Sequence, residues 1–452
     1  MLLALINILT VAQELGLARA IVYFDEDEES LRTYHTTTIL MGALITGCTI
    51  VAAPLVSSFY DTPALTPLMR WLGLMLLLGG IRATPQGLME KQFRFKELVA
   101  FQTIASVISG VVAVIMAWMG AGAMSLVVNM LLGTGIHVAL VCWRYPPRLT
   151  FRLRREVIRR ALRWSLPLAG SRMVTQVYVN ADAIIVGKML GSAELGFYSL
   201  ALRLASFIGE RVFGTVGQVG FPSFASLKDD HQALVRHWLA LTEVLALISF
   251  PAMMGLAVAG EDLIIVLVGA KWLPTLVPLP YLCLAAGLRT VQTVLHPLVS
   301  NLGRTDLSLY YNILSAAVLP VGFVAGCYSG GLLGVGIVWA CLYPLLIVNL
   351  VRQTLNLLDL SWGAYFGSMR FPLLVTLVCG VAMLSFNLFL HAGLLRLALK
   401  SGAGLASIAL CIMASSAKRG QLRSQIVKAR AGLERRAAGR QGMATPNDGG
   451  NI

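Results

Sequence analysis

This 452-residue chain is short of what a soluble enzyme needs. Only 13% of its residues are charged and its mean hydropathy is +0.75, so its apolar surface far exceeds what a soluble core can bury. No P-loop, GxSxG, HExxH or paired acidic metal motif occurs in it. The six histidines (35, 137, 231, 237, 296 and 391) form no cluster. The seven cysteines (48, 142, 283, 327, 341, 379 and 411) fall singly and mostly within apolar runs, with no CxxC spacing. These absences exclude a disulfide framework and a metal centre, and single cysteines in apolar runs read as small buried residues. They leave no internal ATPase and no covalent chemistry, so no enzyme is expected and no cofactor.

What is present is a series of apolar runs, each about as long as a bilayer is thick. Gly (43) and Pro (17) are scattered through them, as in helices that kink and pack closely. The roughly ten-residue alternating strands of a transmembrane barrel are missing. The fold class is therefore all-α, a polytopic membrane bundle. Spans are expected near 1–24, 37–59, 65–88, 98–119, 121–143, 164–190, 193–221, 237–259, 274–300, 308–326, 332–351, 371–390 and 399–416, thirteen in all. The stretch from Leu3 to Glu29 repeats the design of the stretch from Leu200 to Asp230, at an offset of 197 residues. The second copy is preceded by a further span, Trp164 to Tyr198, whose counterpart ahead of Leu3 is missing. The full design is expected to have fourteen spans, two repeated bundles of six plus two C-terminal helices, with the first helix missing here. Two similar bundles with a site between them are a transporter's architecture.

The net charge of +14 would suggest nucleic acid in a soluble protein, but its distribution does not. With alternate loops assigned to the cytoplasm from 25–36 onwards, that side and the tail from 417 hold twenty-five Lys and Arg and the other side holds four. That is the positive-inside pattern, with the C-terminus in the cytoplasm and no nucleic-acid partner. The domains expected are an N-terminal bundle (1–143), a basic cytoplasmic linker (144–163), a C-terminal bundle (164–351), two further transmembrane helices (352–416) and a basic cytoplasmic tail (417–452). In the linker, Phe151, Leu153, Val157 and Ile158 interleave with five arginines, a pattern suited to lying on anionic lipid headgroups.

A charge deep in the bilayer costs roughly 2.5 to 3.5 kcal/mol on insertion scales and so marks water, a partner or a substrate. Of the seven arginines inside spans, Arg172 and Arg203 lie nearest the midplane. Arg172, Gln176 and Asn180 recur at four-residue steps and share one helix face. The next span carries Arg203, Glu210 and Gln218, and Arg289 with Gln292 and His296 extends the set. These residues predict a cationic cavity, although Glu210 pairing with an arginine merely to hold helices together is the plainer reading of part of it. Glu14 and Glu243 are weaker candidates. Gly322, Gly326 and Gly330 form a packing face.

The run from Leu162 to Ala205, with the segments at 87–110, 221–230 and 267–282, resembles the Wzx-like polysaccharide flippases of the multidrug/oligosaccharidyl-lipid/polysaccharide exporter superfamily. The resemblance covers nearly the whole chain to about residue 400. It implies two six-helix bundles that alternate in access and move undecaprenyl-diphosphate-linked oligosaccharide across the bacterial inner membrane, for O-antigen, capsule or exopolysaccharide assembly. It also implies a glycan polymerase and chain-length machinery as partners. The alternatives are a cation-coupled multidrug exporter of the same superfamily, a membrane-bound glycan polymerase or ligase, and an inactive truncated relic. A drug exporter would place acids where this chain places arginines, and a polymerase would need a large external loop.

Overall fold

The computed structural model describes residues 27–92, 94–146, 150, 153–160, 162–163, 176, 179–225, 227 and 230–414. Throughout these residues the chain is helical, without strands, in keeping with the all-α expectation. The chain divides into two compact units: unit 1 comprises Met1–Ser199 and Leu309–Leu346, and unit 2 comprises Leu200–Ser308 and Ile347–Ile452.

Unit 1 opens with α1 (Glu28–Phe59). Asp27 caps it by accepting from Ser30 N at 3.2 Å, and Glu28 and Glu29 complement the positive end of its dipole. A turn with Asp61 at φ +52° leads to α2 (Leu65–Lys91), which α3 (Phe95–Trp118) and α4 (Ala123–Arg144) follow. The α3–α4 turn needs Gly120 and Gly122, at φ +85° and +53°.

The outside of α1 is its greasy side. Leu40, Leu44, Val51 and Leu55 are 55 to 73% exposed and share one face, whereas Thr38, Thr46, Thr49 and Ser57 are buried. This inversion suits a helix whose solvent is lipid, because small polar residues let backbones approach and bond across the interface. The approach to α2 is close. Thr46 Oγ1 donates to the Gly73 carbonyl at 2.9 Å, and a Cβ on Gly80 would sit 2.5 Å from the Thr38 carbonyl oxygen. Backbone cannot yield as a side chain can, so Gly80→Val is expected to destabilise the protein by about 1–3 kcal/mol. Gly47→Ala, with nothing within 4 Å, should leave the melting temperature of the purified chain unchanged or higher.

Later elements of unit 1 are α5 (Ala181–Met189), the start of α6 (Gly191–Ala225) and most of α10 (Thr305–Ile337). Helix α10 breaks at Gly330 and Gly331, the latter at φ +55°, and doubles back so closely that a Cβ on Gly326 would lie 2.8 Å from the Gly334 carbonyl oxygen. Gly322 likewise faces Val338 and Leu342, so the expected packing face exists at Gly322 and Gly326, whereas Gly330 makes the turn. A π-helical segment, Val338–Leu342, follows and runs into α11 (Tyr343–Leu357).

Unit 2 is organised around α7 (His231–Leu267), capped by Asp230. It packs against α8 (Leu279–Gln292), α12 (Trp362–Ser385) and α13 (Leu394–Ala414). Trp238 stacks on Tyr365 at 5.5 Å between ring centres, and Gly380 admits Met254. A 3-10 segment, Ala270–Leu276, precedes α8, and the short α9 (Leu295–Asn301) follows it. Eight helical stretches among the described residues are long and apolar enough to cross a membrane. One of them, Asp306–Leu357, has 52 residues and contains the Gly330–Gly331 reversal, so it is long enough to cross twice. The chain is a multi-pass membrane protein.

The linker is tethered to unit 1. Thr150 N donates to Thr36 Oγ1 at 3.1 Å, and Arg154 lies 2.9 Å from Asp27 and 4.0 Å from Glu29. Val157 is buried, while Arg155, Arg159 and Arg163 are exposed. Arg154 is thus spent on protein carboxylates, and Arg155, Arg159 and Arg163 form an outward basic edge.

Candidate functional site

The predicted site residues divide between the units. Arg172, Gln176 and Asn180 belong to unit 1, and Arg203, Glu210 and Arg289 to unit 2. Arg172 lies outside the described residues, as do Glu14 and the side chains of Glu210 and Gln218. Gln176 and Asn180 stand one turn apart, as their spacing requires: Asn180 donates from both its backbone N (3.2 Å) and its Nδ2 (2.8 Å) to the Gln176 carbonyl. The Asn180 amide therefore spends one donor on its own helix, immediately before α5 begins.

In unit 2, Arg203 on α6 and Arg289 on α8 are both exposed. These two helices meet at Gly209, six residues beyond Arg203, and Thr290, next after Arg289, since a Cβ on Gly209 would lie 3.3 Å from Thr290 Oγ1. Glu210 and Arg289 are the chain neighbours of these two contact residues. Gln292, one turn beyond Arg289, is buried, and His296 bonds Ser308 through Nδ1 at 3.1 Å. An exposed arginine in an apolar helix is costly to leave in hydrocarbon, which favours water, a partner or a substrate beside it.

Three polar groupings went unpaired in the sequence reading. The first lies in unit 1, where Tyr198 donates to buried Asp182 at 2.5 Å and accepts from Trp339 Nε1 at 2.8 Å. Trp339 sits on the π-helical segment, a local widening that turns its indole toward α6. Tyr198→Phe removes both bonds at once. It is expected to cost on the order of 1–3 kcal/mol, measured as a lower melting temperature of the purified chain.

The second grouping ties α7 to α13. Asp262 is fully buried, accepting from Arg396 Nε at 2.6 Å, Lys400 Nζ at 2.6 Å and Gly393 N at 3.1 Å. Arg396 also reaches Glu261, and Lys400, itself fully buried, donates to the Val258 carbonyl at 3.1 Å. Two cations and two acids balance. The sequence contained the signal: Asp262 lies five residues before the end of one apolar helix, and Arg396 and Lys400 lie one turn apart near the start of another. The third is Arg82, whose guanidinium lies 3.0 Å from His137 Nδ1, giving it a partner within the bundle. Near the other membrane face, Lys188 pairs with Asp61 at 3.0 Å.

Among the described residues no group of His, Cys, Asp and Glu could hold a metal ion. Among the described residues, Arg203 and Arg289 are exposed, whereas Asp182 and Asp262 are buried and bonded within their units.

The family described as polysaccharide biosynthesis protein matches residues 1–277. The teichuronic acid biosynthesis protein TuaB of Bacillus subtilis is 27% identical over 89% of this chain and 84% of its own length. The lipopolysaccharide biosynthesis protein WzxC of Escherichia coli is 23% identical over 83% and 77%, and the succinoglycan biosynthesis transport protein ExoT of Rhizobium meliloti is 27% identical over 80% and 72%. Among solved structures, the lipid II flippase MurJ in its inward closed conformation superposes with a TM-score of 0.71 at 11% identity, covering 90% of this chain and 88% of that one. An outward-facing multidrug resistance transporter of the MATE family gives 0.51 at 14% identity, over 80% and 86%. The last two likenesses concern the fold.

Proposed function

Because this chain belongs to the family of polysaccharide biosynthesis proteins, we propose that it carries a lipid-linked oligosaccharide across the bacterial plasma membrane by alternating access. It is a carrier, and it makes or breaks no covalent bond. The observation that carries the reading is the exposure of Arg203 and Arg289 on apolar helices of a protein whose relatives serve polysaccharide assembly. A polyprenyl-diphosphate glycan has an anionic, heavily hydroxylated head that hydrocarbon rejects and a tail that hydrocarbon accepts. A watered path with arginines supplies the head with charge-assisted bonds, while the tail remains in lipid.

In this reading the head follows a watered path along the helices of the bundle 164–351. Arg172, Gln176, Asn180, Arg203, Glu210 and Arg289, all in the stretch 164–351, contribute polar groups to it. The basic loops and the C-terminus face the cytoplasm, where the substrate is assembled, and the linker rests on anionic lipids. A glycan polymerase and chain-length machinery take up the translocated product.

The competing reading, export of organic cations, asks for acids on the path. The buried acids described instead serve Tyr198, Arg396 and Lys400. Deleting the gene separates the two readings. Loss of surface polysaccharide with unchanged sensitivity to cationic dyes is expected, and retained polysaccharide with new dye sensitivity would reverse the assignment.

A further inference from the structure

Unit 1 contains a cavity of about 260 Å³ remote in sequence from the residues assigned above. Its walls come from the first two turns of α1, the last two turns of α2 and the start of the linker. Its bottom is at His35 and Thr84, each seven residues inside the end of its helix. At 1.5 Å per residue this is about 10 Å of depth, comparable to the headgroup layer plus the first carbons of the lipid chains. The face is the one that carries the basic loops.

The lining combines apolar and polar parts. Leu31, Leu88 and Pro146 are apolar, as suits a site that the first carbons of a lipid chain would enter. His35 is 2% exposed, and its Nε2 has no hydrogen-bond partner among the described residues. A buried ring nitrogen left in that state costs free energy that a bonded guest recovers. Arg32 lies one turn before His35 on the same face of α1. Its bond to Glu28, at 3.0 Å, joins side chains that are 44% and 57% exposed, so the pair is weak and the guanidinium is free to turn to a better acceptor. Tyr145 is held rigidly as the third wall by a bond with Gln92 and by the guanidinium groups of Arg94 and Arg144, 5.9 and 5.4 Å from its ring centre.

We propose that this cavity binds the phosphoryl headgroup of a lipid in the leaflet facing the basic loops, with Arg32 and His35 Nε2 as donors. A phosphoryl group is the acceptor that both donors fit, and Arg32 can hold it through two N–H groups. Either an anionic phospholipid or a polyprenyl diphosphate presents that chemistry at that depth. In the second case the site is a waiting position for the cargo, which rests on the transport reading above. In the first it is a lipid anchor independent of it.

The test is photolabelling of the full chain in dodecyl maltoside with a farnesyl diphosphate analogue bearing a diazirine in its first isoprene unit. Labelled peptides are expected from residues 28–35 and 84–91. Arg32→Gln and the cavity-filling Leu88→Trp should each lower that labelling at least tenfold, and Arg155→Gln, outside the cavity, should not change it. Arg32 is exposed, so its variant folds even if a change at His35 does not. Competition by dioctanoyl phosphatidylglycerol as strong as by unlabelled farnesyl diphosphate identifies phospholipid as the guest. Competition at least tenfold weaker identifies the diphosphate, and both outcomes support the site. Equal labelling by the farnesol analogue, or wild-type labelling of Arg32→Gln, overturns it. Surface glycan in cells carrying the same variants is scored separately, so that export by the wild-type chain with no labelling here rejects the site alone.

Discussion

Asp262→Ala is expected to cost about 3–5 kcal/mol, the largest stability loss of any single change proposed, because it leaves Lys400 buried without a counter-charge and Arg396 with only the half-exposed Glu261. The side chains of Lys400 and Asp262 are completely enclosed, so water cannot relieve the loss. Lys400→Met should cost less, since Asp262 retains Arg396 and the Gly393 amide. The triple change Asp262→Leu, Arg396→Met and Lys400→Met should recover most of the stability, because a buried ion cluster rarely outperforms apolar packing of similar volume. Thermal melts of the four purified proteins check the order. If Asp262→Ala melts with the wild type, the cluster is not what fastens α13 to α7.

Arg203→Ala and Arg172→Ala are expected to remove surface glycan while the protein still inserts at normal levels. A hydrogen bond between an arginine and a phosphate is worth about 1.5–3 kcal/mol, which corresponds to roughly a 10- to 150-fold loss of affinity for the head. Lysine at either position should restore part of the export, because it keeps the charge and loses the planar fork. Arg82→Ala serves as a contrast: its guanidinium bonds His137 within unit 1, so its loss should lower stability more than export. Quantifying surface polysaccharide beside membrane-fraction immunoblots distinguishes these cases. Normal glycan with Ala at both Arg172 and Arg203 would remove the arginines from the transport path.

The helical architecture was legible because length and hydropathy decide it: a run of twenty apolar residues with an internal glycine has few other folds open to it in lipid. The packing role of Gly322 and Gly326 followed from four-residue spacing alone, and the structure adds that Gly330 and Gly331 supply the turn between their partners. Pairings between distant helices were harder to read. Asp262 finds Lys400 across 138 residues, and Tyr198 finds Trp339 across 141, through helix neighbours that no periodicity specifies. The linker shows the same limit. Its alternation of arginine with apolar residues reads as membrane-facing, yet Arg154 turns to Asp27 and Glu29 because the capped end of α1 concentrates carboxylates beside it. Of the predicted site, the four-residue step between Gln176 and Asn180 is present as one helical turn. Sequence depth ranked the arginines, but exposure, a property of tertiary structure, is what separates Arg203 and Arg289 from the half-buried Arg82.

The central claim is translocation of a lipid-linked glycan, and reconstitution tests it most directly. Purified chain is placed in vesicles whose undecaprenyl-diphosphate oligosaccharide is accessible to a membrane-impermeant glycosidase only in the outer leaflet. With the wild-type chain, the protected inner-leaflet pool should become susceptible within minutes, and with Arg203→Ala it should stay protected as in protein-free vesicles. An inner-leaflet pool that stays protected in the presence of folded wild-type protein, under both imposed proton and sodium gradients, would contradict the account.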